Sequence, residues 1–444
     1  MSLGALAVIA LWVALIISAL SRPWVGATGY AFFVVLCPQW NWRWALPDLD
    51  YQKFLAVSTL LGFLMSGLRP QQLTKAGRYA CFGLVGYLLL CYISSPQSIN
   101  PGKTASYLDI SWKIVLMVLL LIFTLRTTRQ LTWFIAAMVV AQGWNAFNVN
   151  ELYYQSGVNV RYFSWNFLDN NTYSISTVPI MAMSFAVMVA ARKRWMVIVA
   201  GVAFLLQMHQ LMILESRGTM IGALFLCALG FYFMPRTQQS LGLAAAGVVA
   251  GGILAGPSVV EEFTSSFESS DQLDSSAESR FELWRAGGRI TADYPLLGVG
   301  PWAGEVYVPR YYHGRLDRDR KALHNLFFEV ATGAGLPAAA MYLAFFFLPW
   351  MEHYRIWRRE RNGFPEWFTV ANLATLAGIP GYWVASMFSS GALIEPPYLL
   401  VGGAISSMAI YRYAGLPVEV VQPTESTVTP SLEFRRRFEM NVNT

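Results

Sequence analysis

Charge is scarce in this sequence. Only 13% of its residues are Asp, Glu, Lys or Arg, about half the share of an ordinary soluble domain, roughly 25%. The deficit runs along the whole chain. Histidine and cysteine are equally rare, with four of each. Cys37, Cys81, Cys91 and Cys227 lie in or beside apolar runs without metal-ligand spacing, so they read as small packing residues. No Gly-rich phosphate loop with Lys is present. No loop on the basic side is large enough for a nucleotide domain. These absences argue against an ATP-driven or nucleotide-sugar enzyme. A net charge of +6 does not indicate nucleic acid, because the cations sit mostly in short loops between apolar runs.

What fills the sequence is apolar: 55% of residues are hydrophobic and the mean hydropathy is +0.42. Runs of roughly 17–25 apolar residues can cross a bilayer as helices. Closed barrels, the other spanning structure, alternate polar and apolar residues, whereas Ile114–Phe123 is apolar on every side. The chain therefore reads as an all-α integral membrane protein of twelve or thirteen spans. They fall near 4–20, 24–39, 54–68, 79–94, 111–125, 131–147, 173–191, 195–214, 218–234, 241–256, 323–350, 366–387 and 396–412. The first two are close enough to form a hairpin or a re-entrant pair. Met1–Leu20 lacks a basic leader region, so it reads as a span and not as a cleaved signal.

Alternate short loops carry most of the cations. One set holds Arg22, Arg69, Lys75, Arg78, Arg126, Arg129, Arg192, Lys193, Arg194, Arg236, Arg355, Arg358, Arg359 and Arg361. The positive-inside rule assigns that set to the cytoplasm. The organisation is then an N-terminal bundle (1–256), a large outer loop (257–322), C-terminal spans (323–412) and a cytoplasmic tail (413–444). The loop starts acidic and Ser-rich, from Glu261 to Glu278. It then changes to Arg280–Ile290, which reads as a short amphipathic helix lying on the membrane. The turn Gly298-Val299-Gly300-Pro301 follows.

Candidate chemistry gathers on the outer side. Arg217, in Glu215-Ser216-Arg217-Gly218, stands where a charge is costly and tends to mark a ligand path; pairing with Glu215 is the alternative. Arg280 opens the amphipathic helix, and a salt bridge to Glu278 or Glu282 is its alternative. Two guanidinium groups from separate segments suit a diphosphate, because each grips phosphate through parallel hydrogen bonds. Arg285 and Arg289 are weaker candidates of the same kind, and Arg161 is a secondary one. His324 opens His324-Asn325-Leu326-Phe327-Phe328-Glu329 directly after the loop. An imidazole is mostly neutral near pH 7 and can accept a proton.

Taken together, Ser216-Arg217-Gly218, Arg280 with Trp284, Pro295-Leu296-Leu297-Gly298-Val299-Gly300, His324-Asn325, and Glu329 with Gly333, Gly335, Leu336 and Pro337 resemble the bacterial O-antigen ligase/polymerase superfamily. Asp169-Asn170-Asn171 fits an upstream motif of that family. Arg22-Pro23-Trp24 looks like its branch of O-glycosylation ligases. The resemblance implies a GT-C-like, metal-independent, inverting glycosyltransferase without a cofactor, in the bacterial inner membrane with its site facing the periplasm. Its donor would be an undecaprenyl-diphosphate-linked glycan and its acceptor lipid A–core oligosaccharide. A protein hydroxyl or another lipid-linked repeat are alternative acceptors. His324 would then be the base, with Asn325 beside it, and Arg217 and Arg280 would hold the diphosphate. Asp169 and Glu395 would be secondary site residues. A flippase of lipid-linked sugars is the reading from another class. It would be expected to show repeated halves and buried mid-span charges; the sequence shows no such repeat and few such charges.

Overall fold

The computed structural model describes residues 2–254, 275–313, 321–360 and 363–413. Each of the thirteen expected spans coincides with a helix. In chain order they are α1 (Leu3–Ser21), α2 (Pro23–Leu36), α4 (Tyr51–Met65), α5 (Lys75–Ser94), α6 (Pro101–Thr124), α7 (Thr128–Ser156), α8 (Asn170–Ala190), α9 (Arg194–Ile213), α10 (Arg217–Phe233), α11 (Gln238–Leu254), α14 (Leu326–Arg359), α15 (Glu366–Ser386) and α16 (Pro396–Tyr413). Three other helices are α3 (Pro38–Asn41), α12 (Ser275–Asp293) and α13 (Val308–Tyr311). Among the described residues there is no strand, only one isolated bridge between Trp165 and Leu168. By length and composition α1, α5, α6, α8, α9 and α14 can each cross a membrane, and α4 and α10 are shorter apolar helices. The protein is thus an all-α integral membrane protein. The acidic stretch 257–274 and the tail from 414 onward lie outside the described residues.

The first two helices form an antiparallel hairpin turning at Arg22. A Cβ on Gly26 would stand 2.6 Å from Ala19 Cβ, and one on Gly29 would stand 3.0 Å from a methyl of Leu15. Small residues let helix backbones approach where the surrounding solvent is as apolar as the side chains. The same device joins α10 to α15, where a Cβ on Gly222 would lie 2.7 Å from the Gly381 carbonyl oxygen. At the centre stands α8, buried almost throughout, with α9, α10 and α15 around it. The C-terminal helices pack among the N-terminal ones, α14 against α5 and α16 against α6.

Loops at one end bond to one another. Ile99 N–H donates to Val299 O (3.1 Å), Asn166 Nδ2 to Val35 O (3.1 Å), Asn170 Nδ2 to Leu214 O (3.0 Å) and Asn325 Nδ2 to Met387 O (3.1 Å). The other end closes through Thr74 to Glu352 (2.8 Å), Arg192 N–H to Glu366 (3.1 Å) and Gln239 to Ala191 O (3.1 Å). That second end carries Arg69, Arg126, Arg192 and Arg236, the basic loop set of the sequence.

Candidate active site

The first end is organised around a break in α14. Pro337 has no N–H to give the carbonyl of Gly333, and Gly335 departs from helical geometry at φ 86°. The freed carbonyls are claimed by the Gly-rich turn of the loop. Val299 N–H donates to Thr332 O (2.8 Å) and Gly300 N–H to Gly333 O (2.9 Å). Leu336 N–H in turn donates to Pro295 O (2.8 Å), and Ser94 Oγ adds a bond to Gly333 O (2.9 Å). Gly298 takes φ 64°, and a Cβ there would overlap the kink backbone, 2.6 Å from the Gly333 carbonyl carbon. A helix break that would otherwise strand buried carbonyls therefore clamps the loop onto α14.

This clamp sets α12. Leu283, Ala286 and Ile290 are fully buried, with Leu283 and Ile290 in a cluster with Val299, Ala303, Val308 and Leu323. A Cβ on Gly287 would meet the Phe328 ring at 2.9 Å. The expectation that this helix lies on the membrane is corrected. Its apolar face is covered by protein, because Gly287 and the Gly-rich turn bring α14 close enough to bury it.

The start of α12 then meets three other segments. Arg217 occupies the first turn of α10, where helix N-terminal amides favour anions. Its neighbour Glu215 is held at φ 52° and is bonded by Arg161 at 2.8 Å. Ser216 Oγ donates to Asn171 Oδ1 (2.9 Å). Gly218 lies against Phe388, whose ring stands 5.6 Å from Trp284 of α12. Asp169 caps α8, accepting from the N–H groups of Asn171 (2.9 Å) and Thr172 (3.1 Å). Asn325 is buried and caps α14 at Phe328 N–H (3.2 Å) while bonding Met387. His324 lies outside the helix, which begins at Leu326 and not at 323, and is held at φ 47°. That backbone region is sparsely populated for a residue with a Cβ, and such conformations cluster at functional sites.

Electrostatics tie these groups together. Burial holds the Arg280 guanidinium below its ordinary value, and the nearby Arg217 adds to the effect. Burial also holds His324 below 6.5; Arg280 lowers it further, Asp169 opposes, and Lys321 lowers it again. The result is a partly buried imidazole whose neutral form is favoured by burial and by the charges of Arg280 and Lys321. Such a group can take a proton, and the cations beside it favour an anion.

Not every candidate joins this cluster. Arg285 and Arg289 close on Glu282 at 3.1 and 2.9 Å, and Arg289 also donates to Tyr311 O at 2.7 Å. Arg161 holds Glu215, so it acts on the Arg217 turn. Glu395 is elsewhere: its carboxylate accepts from Tyr30 OH (2.7 Å) and faces a different cavity. Sequence reasoning named Trp284 and Glu329 only as motif residues and left out Phe388; the structure gives Trp284 and Phe388 an aromatic contact and makes Glu329 a buried carboxylate that accepts from Gly391 N–H (3.2 Å). Glu329 was visible as a charge inside an apolar span, which is a signal in its own right.

Residues 202–343 match the family model described as O-Antigen ligase. Arg217, Arg280 and His324 all fall inside that match. Residues 3–150 match a family of unknown function. No curated protein matches the chain. The first match supports the resemblance to the O-antigen ligase/polymerase superfamily that the motifs carry.

Proposed function

We propose that the protein is a GT-C-type glycosyltransferase of the bacterial inner membrane. It moves a glycan en bloc from undecaprenyl diphosphate to lipid A–core oligosaccharide at the periplasmic face. What supports this reading is Arg280, whose charge acts on a partly buried His324 and which is itself acted on by Arg217, three residues from three separate segments, at the end of the bundle with fewer short-loop cations.

The reaction is a single displacement. The acceptor hydroxyl gives its proton to His324 as its oxygen attacks the anomeric carbon. The bond from that carbon to the diphosphate oxygen breaks with its electron pair, so the new glycoside is inverted and undecaprenyl diphosphate leaves. His324 then releases its proton to solvent or product. Arg217 and Arg280 bind the diphosphate and stabilise the charge that grows on it, and fixed cations do this without reorganising. A general base of this kind is worth about 10²–10⁴-fold. Asn325 and Asp169 hold the His324 turn and bias its charge.

The test uses purified protein in nanodiscs with undecaprenyl-diphosphate glycan, with and without lipid A–core, and resolves the products by mass. Transfer that requires lipid A–core supports the reading. Longer glycan on the polyprenyl carrier without lipid A–core would make the protein a polymerase. Movement of the glycan across the bilayer with no covalent product would make it a transporter.

A further inference from the structure

A cavity of about 760 Å³ draws its walls mainly from the N-terminal region. One face of α4 supplies Ala56, Val57 and Leu60, and the facing side of α6 supplies Ile110 and Leu116. Val57 is 50% exposed and Ile110 38%, so the gap between the two helices opens sideways. On a bundle this apolar the medium beside that gap is lipid.

The deep end is polar. Glu395 turns its carboxylate inward beside Tyr30, and Asn166 contributes from the loop before α8. This end abuts the catalytic cluster along the chain at two points. Leu168 lines the cavity and is followed by Asp169, whose charge acts on His324. Leu393, Ile394 and Glu395 line it a few residues beyond Met387 and Phe388, which pack on Asn325 and Gly218.

Charge separates the two compartments. The catalytic cluster presents arginines. The cavity presents Asp50, Asp109 and Glu395 against Lys53 and Lys113, and Lys113 is bonded to Asp109 at 2.7 Å. The lining has no arginine to grip a diphosphate, and its carboxyl oxygens accept hydrogen bonds from sugar hydroxyls. We infer that this cavity receives the acceptor and that the acceptor is a lipid-anchored saccharide. Its tail lies between α4 and α6, and its sugar hydroxyls meet Glu395 and Asn166. The inference rests on the transferase reading and narrows it, because a protein acceptor needs no opening to the lipid.

Benzoyl-phenylalanine placed at Val57, and separately at the exposed Phe281 of α12 as a comparison, provides the test. Each protein is irradiated in nanodiscs with one substrate at a time, lipid A–core oligosaccharide or undecaprenyl-diphosphate glycan. No turnover is needed, so the result is independent of whether transfer occurs. Position 57 is expected to capture lipid A–core at least 10-fold more than the donor. Preferential capture of the donor, or of neither lipid, would overturn the assignment. A kinetic arm uses Ala56→Trp to fill the groove and Leu61→Trp, on the outward side of α4, as a control. Ala56→Trp should raise the acceptor KM at least 10-fold and leave the donor KM within twofold. An unchanged acceptor KM in a protein that folds like the control would also overturn it.

Discussion

The two ends of α12 carry the same side chain to opposite effect. At its later turns, Arg285 and Arg289 share the carboxylate of Glu282, and Arg289 adds the Tyr311 carbonyl. Their charge is answered within the loop, and they tie α12 to the segment that leads to His313. At its start, Arg280 is partly buried beside Arg217 and near His324. Two cations held together in a low-dielectric setting repel each other, and a diphosphate bound as proposed would turn that repulsion into attraction. The difference teaches that an arginine's meaning lies in which segments the fold brings beside it. The Gly-rich turn clamped on the α14 kink makes that selection.

Substitutions along this contrast should grade in effect. His324→Ala removes the proposed base, and we expect transfer to fall about 10²–10⁴-fold in an inserted, folded protein. Arg280→Ala and Arg217→Ala should each cost roughly 10²–10³-fold, the scale of losing one fixed charge-stabilising donor. Lys should restore little at either position, because an ammonium cannot form the two-pronged bond to phosphate. Gly298→Val tests the clamp. A side chain cannot fit against the Gly333 carbonyl carbon without displacing the turn, so thermal stability and donor binding should fall together. Arg161→Ala frees Glu215 from its ion pair and should lower transfer several-fold with the fold intact, since partly exposed pairs contribute about 0–1 kcal/mol. Arg285→Ala, 70% exposed on its side chain, should change transfer by less than about twofold, in keeping with a surface pair. An Arg285→Ala loss equal to that of Arg280→Ala would erase the contrast.

The pH profile sharpens the same point. A histidine held below 6.5 by burial and by Arg280 is neutral at pH 7. The rate should therefore be flat through neutrality and fall as pH drops through the depressed value. Removing Arg280 takes away one lowering influence, so in Arg280→Ala the acid limb should move to higher pH. Measuring kcat/KM against pH for both proteins checks the direction.

Much of this was legible in the chain. The spans were readable because a bilayer demands long apolar helices, and thirteen runs of that kind became helices. Arg217 stood out as a cation between two apolar runs, Arg280 as the residue that opens the amphipathic stretch, and His324 as the residue that follows the long loop directly. The pairing of Arg285 and Arg289 with Glu282 was not read from the sequence, which offered that carboxylate to Arg280 instead. The docking of α12 on α14 depended on backbone contacts at Gly287, Gly298 and Gly335, which a local pattern does not encode. Glu395 was seen only as an acidic residue at a span boundary. Its partner Tyr30 lies in the second helix, and no local rule joins them.

The most direct measurement separates binding from chemistry in one variant. Donor affinity and single-turnover transfer would be measured side by side for the wild type and His324→Ala in nanodiscs. The account predicts unchanged affinity for undecaprenyl-diphosphate glycan and a transfer rate lowered at least 100-fold. Transfer at the wild-type rate, or a loss explained entirely by weaker donor binding, would contradict the role of His324 as base.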